Sequence, residues 1–392
     1  MIILVYVFQL FLAAGALADT AHGKGHTPSL GNLALQKLLD DASQIFGQYD
    51  LGKPSSQNPA TEWMKRYPDS TPLVRLNIPG GHDIATWNFS STTKASIPAD
   101  AGAADPAFYR TQSLGPVDAL NAGLRFFDLR YALDPSGTFL CFWHHNALLS
   151  DIAHVDDVMF AFYAWLHAHP SEVVILSFQY EGGTVPGASN NAAVQTQLFN
   201  ILTSPAAKQY ISQTKDELRT LGQERGKIIL FRRFDLDKLP AGYDANAVPG
   251  IHLSPGLWTD DQPDFGLVYN SAKNLTAYIE DYYEPDDVPI GSSPTVDIEH
   301  KLNATKAHLQ KASTQYLDSL FITFSSGEHN DNVPPVYPEI MALGNGTQVT
   351  PLGGVNQQLV PFLKGMSGKR MGIVVLDYWD QPSDLVRSIL GL

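Results

Sequence analysis

The stretch DVMFAFYAWLHAHPSEVVILSFQY, residues 157–180, reads as a helix handing over to a strand. From Asp157 to His169 apolar residues recur at helical intervals, whereas EVVILSFQY (172–180) is a short apolar run rich in strand formers. The same alternation extends in both directions. Strand-like runs stand at LRFFDLRYAL (124–133), TFLCFW (138–143), GKIILFRRF (226–234), LFITFSS (320–326) and MGIVVLDYW (371–379). Helical patterns fall between them at AVQTQLFNILTS (193–204), IEHKLNATKAHLQKAST (298–314) and NQQLVPFLKGM (356–366). Strand alternating with helix predicts a parallel sheet with helices on its faces. About seven or eight strands without a low-complexity linker favour one closed α/β barrel over two open sheets.

The chain has 392 residues, of which 44% are hydrophobic and 17% charged, a globular balance that excludes wholesale disorder. Residues 1–18, MIILVYVFQLFLAAGALA, carry no charged side chain and end in an A-x-A pattern. They are read as a secretory signal peptide, and the absence of Lys or Arg in front of the apolar run leaves an uncleaved anchor as the alternative. Residues 19–70 are expected to form an extension with an amphipathic helix near 29–49, and 71–392 the barrel. Sequons at Asn88, Asn274, Asn303 and Asn345 fit a secreted glycoprotein. Cys141 is the sole cysteine, so no intrachain disulfide can form. Its apolar surroundings suit a buried thiol better than a nucleophile. A net charge of −14 opposes nucleic-acid binding and polybasic docking to anionic membranes.

In such a barrel chemistry gathers where strands end. TPLVRLNI (71–78) reads as a strand, and Pro79-Gly80-Gly81 as a tight turn delivering His82 and Asp83 to the rim. Alternation along GLRFFDLR puts Phe126, Asp128 and Arg130 on one face, with Arg125, Phe127 and Leu129 on the other. Arg130 at the strand end suits a phosphate, although a structural pair with Asp128 explains it equally well. CFWHHNALLS offers His144 and His145, of which one can face the site. GIVVLDYW ends on Asp377, a carboxylate that needs a partner such as a histidine. Two histidines and a cation describe phosphodiester cleavage by general base and general acid.

The motifs IPGGHD, GLRFFDLR, WHHNALLS, PSEVVILSFQYE, RGKIILFRRF and MGIVVLDYW occur in the order and spacing of bacterial-type phosphatidylinositol-specific phospholipase C. The chain resembles that family densely over 70–180, again at 225–234 and 372–380, and thinly over 240–320. The resemblance implies a distorted TIM-like (β/α) barrel, single domain. It implies His82 as general base, Asp377 as the group orienting it, Arg130 as the phosphate-stabilising cation, and His145 as general acid assisted by Asp83. Ring-hydroxyl contacts map onto Arg233, Asp281 and Tyr283. Products would be diacylglycerol and inositol 1,2-cyclic phosphate. No metal and no cofactor are implied, because Arg130 stands where calcium-dependent relatives carry an acidic ligand. Expected partners are a phospholipid or a lipid-anchored inositol phosphodiester, with transient membrane-surface contact, no nucleic acid, and a monomeric state.

Two departures bear on substrate grip. Gln179 stands where bacterial members usually have a lysine that contacts inositol, and Asn146 replaces a glycine after the second histidine. A different phosphodiester, or a barrel kept only for binding, is therefore the alternative reading. Elsewhere His154, His167 and His169 read as surface or helix-end groups, and Phe160, Phe162, Trp165 and Leu166 as core. Trp258 and Trp379 fit either a rim role or core cover, and His329, in the loop after LFITF, could line the site.

Overall fold

Residues 28–52, 58–285 and 287–392 are described by a computed structural model, in which the helix and strand runs above appear close to their expected bounds. The signal-peptide reading lies outside the described residues. Among the described residues eleven strands form the sheet: β1 (Ile78–Gly81), β2 (Phe126–Leu133), β3 (Leu140–His144), β4 (Ala147–Leu148), β5 (Val174–Tyr180), β6 (Ile228–Arg233), β7 (Ile251–His252), β8 (Phe265–Asn270), β9 (Leu275–Glu280), β10 (Leu320–Phe324) and β11 (Ile373–Leu376). Their order is β7-β6-β5-β2-β1-β11-β10-β9-β8, and every neighbour pair from β7 to β9 is parallel. β8 runs antiparallel to β9 and ends the path opposite β7, so the sheet curls into a nearly closed barrel. The expected barrel is therefore present, distorted at that seam. No helix among the described residues is long and apolar enough to cross a membrane.

Two elements differ from their sequence reading. TFLCFW does not join the parallel ring; as β3 it folds back antiparallel on β2 and pairs with β4, a side hairpin that returns the chain to the rim. Residues Leu73–Arg75 form a single 3-10 turn, and the Pro-Gly-Gly run expected to turn is itself β1. The reason is steric. A Cβ on Gly80 would lie 2.8 Å from the Cβ of Phe126 and 2.9 Å from its carbonyl oxygen, so only glycine lets β1 approach β2 this closely.

The inner face of the ring changes character along its length. Phe126, Ile175 and Ile229 sit side by side on β2, β5 and β6. One layer up come Asp128, Ser177 and Phe231, and above them Arg130, Gln179 and Arg233. Side chains two residues apart on a strand share a face, so an apolar floor grades into a charged rim. Phe126 meets Phe231 inside the ring at 6.0 Å between centroids. Phe127 points outward to Phe162 on the helix Val155–Ala168, at 5.2 Å. Phe162, Trp165 and Leu166 of that helix are buried and Phe160 is partly so, as core residues should be. The helix Leu30–Phe46 buries Leu39, Ala42, Ile45 and Phe46, and Phe46 stacks edge-on against Phe162 at 5.0 Å.

Candidate active site

β1 and β11 pair residue for residue up to Gly81 and Leu376, and the His82 N–H donates to the Leu376 carbonyl at 2.9 Å. The next residues, His82 and Asp377, are thus neighbours by register. His82 Nδ1 lies 2.8 Å from Asp377 Oδ1. Its Nε2 lies 2.7 Å from an Arg130 guanidinium nitrogen. Arginine can only donate, so Nε2 accepts and Nδ1–H donates to Asp377. That is the tautomer a base needs, with its lone pair facing the cation that would hold a phosphate.

Arg130 is gripped from below. Its Nε is 3.5 Å from Asp128 Oδ2 and 3.8 Å from Asp83 Oδ2, and both carboxylates are fully buried. The Asp128 pair expected from the sequence thus forms, but it leaves Nε without a hydrogen bond and the other end of the guanidinium on His82. Burial opposes ionisation of Asp128 most strongly, yet Arg130 and Arg233 together outweigh it and hold its pKa below the usual carboxylate range. Asp83 lacks that second cation, and burial pushes its carboxyl well above the ordinary value against the pull of Arg130. Asp377 is also raised by burial, with His82 pulling it back. Both Asp83 oxygens, Asp128 Oδ1, Arg130 Nε, Gln179 Oε1 and Arg233 NH1 are buried without a hydrogen-bond partner in the protein. Buried polar groups are rarely left so, and this many together mark a place that takes a polar ligand or ordered water.

The two histidines of the β3–β4 hairpin part company. His144 Nδ1 donates to the Tyr109 carbonyl at 2.6 Å and lies 3.4 Å from Asp83 Oδ2. Burial, with Arg130 and His82 nearby, pushes its pKa down to about 3, so it is neutral at physiological pH and has no proton to give from Nε2. His145 is exposed, takes a left-handed backbone with φ of 50°, and donates its N–H to Glu181 Oε1 at 2.7 Å. The expected pairing of Asp83 with His145 is therefore corrected. The left-handed turn at His145 comes directly after β3, and it is the His144 ring that meets Asp83.

On the far side, Arg233 lies with its guanidinium carbon 3.7 Å from the centre of the Trp258 ring, a close cation–π stack. It also faces Asp128 at 3.6 Å and Asp281 at 4.0 Å. Trp258 Nε1 donates to Asp281 Oδ2 at 2.6 Å, and the Phe324 ring bridges Trp258 and His82. Trp258 thus joins the site, while Trp379 is buried and covers the core. Gln179 lies in register between Arg130 and Arg233. Tyr283 is half-buried after β9, and burial among Asp260, Asp261 and Glu284 raises its pKa.

Some residues stay out. His329 is buried against Asp297 at 2.5 Å and ties its loop to the helix Pro294–Thr314. His169 is buried at its helix end, stacked on Trp165, while His167 is exposed and His154 caps the helix N-terminus with Asp157. His154, Asp156 and Asp157 are the one grouping among the described residues close enough to share a metal ion, and they are outside the set around Arg130. Cys141 is buried, its thiol pushed up to about 12 by burial. Glu181 and Tyr109 were missed from sequence. Glu181 carried a usable signal, a carboxylate just past an apolar strand, but Tyr109 lies in a turn with no pattern to flag it.

No family model matches the chain. It is 22% identical over 343 residues to a Staphylococcus aureus (strain Newman) protein named 1-phosphatidylinositol phosphodiesterase, covering 84% of this chain and 92% of that protein. Over a shorter span of 153 residues it is 31% identical to PI-PLC X domain-containing protein 1 of Mus musculus, covering 35% of this chain and 44% of that one. Among solved structures it resembles a mutant phosphatidylinositol-specific phospholipase C from Staphylococcus aureus, with a TM-score of 0.62, 20% identity, and coverage of 86% and 98%. The corresponding enzyme from Listeria monocytogenes gives 0.57 at 19% identity, covering 84% and 97%.

Proposed function

We propose that this chain, bacterial-type phosphatidylinositol-specific phospholipase C-like in sequence and in fold, is a phosphodiesterase acting on phosphatidylinositol or a related inositol phosphodiester. The observation that carries the reading is the line Asp377–His82–Arg130, closed by contacts of 2.8 and 2.7 Å at the rim of the barrel. A substrate phosphate offers Arg130 a better partner than an imidazole, and its arrival frees the His82 lone pair. His82 Nε2 then takes the proton of the ring hydroxyl beside the phosphate. That oxygen bonds to phosphorus, the bond to the glycerol oxygen breaks, and His145 protonates the departing alkoxide. Diacylglycerol and inositol 1,2-cyclic phosphate result, and slow addition of water opens the ring. Arg130, locked in place by Asp83 and Asp128, stabilises the charge that builds on the phosphoryl oxygens.

Arg233, Asp281, Gln179 and Tyr283 form the wall that would receive the inositol hydroxyls, with Trp258 as a flat face beside them. The chemistry requires no metal, since the guanidinium supplies the positive charge. Export by the leader and transient contact with a lipid surface complete the proposal.

A panel of phosphatidylinositol, lysophosphatidylinositol, phosphatidylcholine and glycerophosphodiesters, run with and without strong chelator, tests it. Inositol lipids should turn over in either condition, and His82→Ala or His145→Ala should each lower kcat by about 10²–10⁴-fold. Turnover of glycerophosphodiesters alone would move the substrate class. Loss of activity on chelation, restored by calcium or magnesium, would overturn the metal-free mechanism.

A further inference from the structure

The bend that separates His145 from Asp83 leaves the question of what holds its ring. The nearest acceptor is its own neighbour: His145 Nδ1 lies 3.2 Å from Asn146 Oδ1. That oxygen is itself fixed. Tyr109 Oη donates to Asn146 Oδ1 at 2.7 Å and accepts the Ala104 N–H at 2.8 Å. The phenol oxygen receives the backbone N–H on one lone pair and gives its own hydrogen to the amide oxygen of Asn146. Tyr109 is buried and sits edge-on to Phe89 at 5.7 Å, so the anchor is rigid.

The consequence is directional. With Asn146 Oδ1 accepting, Nδ1 of His145 carries a proton and Nε2 is the ring atom left to act on a substrate. On that side stands Gly183, where a Cβ would come within 3.1 Å of Nε2. A glycine with φ of 72° therefore keeps the approach to Nε2 open.

We propose that Asn146, held by Tyr109, is the positioning residue that sets the tautomer and aim of His145, the part that the family resemblance assigns to Asp83. The proposal rests on the reading of His145 as proton donor to the leaving group. Asn146 does this without a charge, whereas a carboxylate in the same place would favour the imidazolium. The charged group that faces His145 from another element is Glu181, at the end of β5, through its bond to the backbone N–H and electrostatically. Tyr109 is tied to His145 through Asn146, and Arg130 in turn acts electrostatically on Glu181.

The test is a pH–rate profile with kcat and KM separated. Asn146→Asp should move the alkaline limb upward by about one pH unit. Asn146→Ala should lower kcat roughly 10- to 100-fold with KM within about twofold, and Tyr109→Phe should do the same more weakly. An unmoved alkaline limb in Asn146→Asp, or a limb that follows Glu181→Gln or Asp83→Asn instead, would overturn the proposal. His145→Ala separates the two readings. Full activity in that variant removes His145 as the acid. An inactive His145→Ala beside an unchanged Asn146→Asp profile removes only the role of Asn146.

Discussion

Arg125, just before β2, and Arg130, within it, do opposite work. Arg125 is fully buried and wholly satisfied: its guanidinium pairs with Glu172 at 2.7 Å and donates to the carbonyls of Leu120, Leu124 and Thr61. It pins the start of β2 to the segment before β5. Arg130 keeps Nε unbonded and faces the site. Replacing Arg125 by Met strands the Glu172 carboxylate in the interior, and urea unfolding should show a loss of about 3–5 kcal/mol. Replacing Arg130 by Met should remove activity, and it should also lower the unfolding midpoint, because it leaves the buried Asp83 and Asp128 carboxyls without their nearest cation. Strand alternation alone sorted these two residues to opposite faces. It did not name Glu172, 47 residues downstream, because no local pattern encodes a partner that distant. The histidine pair was harder still. Alternation correctly says that His144 and His145 diverge, but the left-handed turn at His145 decides where each one goes.

At the scale of elements, apolar strands and periodic helices were legible and the polar, irregular ones were not. β5, β6, β10 and β11 announce themselves because both faces are covered. The hairpin β8–β9 does not, since FGLVYN and LTAYIE mix polar and apolar residues and much of β8 is exposed. β7, at two residues, is too short to carry a pattern. β1 hides behind Pro-Gly-Gly, a sequence that reads as a turn, while its Gly80 serves a close approach to Phe126. That yields a test: Gly80→Ala should wedge β1 from Phe126, cost roughly 1–3 kcal/mol in urea unfolding, and lower kcat more than a destabilised but intact site would. His82 follows two residues after Gly80, so a shift of the strand is a shift of the base. A variant with lower stability and unaltered kcat would contradict this coupling.

Across the whole molecule, strand order explains why residues nearly 300 positions apart form one site: β1 lies between β2 and β11, so His82 meets Arg130 on one side and Asp377 on the other. The sequence marked these residues by their place at strand ends, and the barrel brings them together. The wall proposed to receive the inositol ring was less visible, because Trp258 and Asp281 lie in the span where the family motifs thin out. Against a net charge of −14, Arg130 and Arg233 put positive charge locally at the site, so the proposed reading has substrate held by local geometry and not by a long-range field. The account stands or falls on a ring oxygen attacking phosphorus directly. Phosphorus-31 NMR of phosphatidylinositol turnover in chelator should show a five-membered cyclic phosphodiester as the first product, absent with His82→Ala. Direct appearance of an acyclic inositol phosphate, with no cyclic species preceding it, would contradict the account.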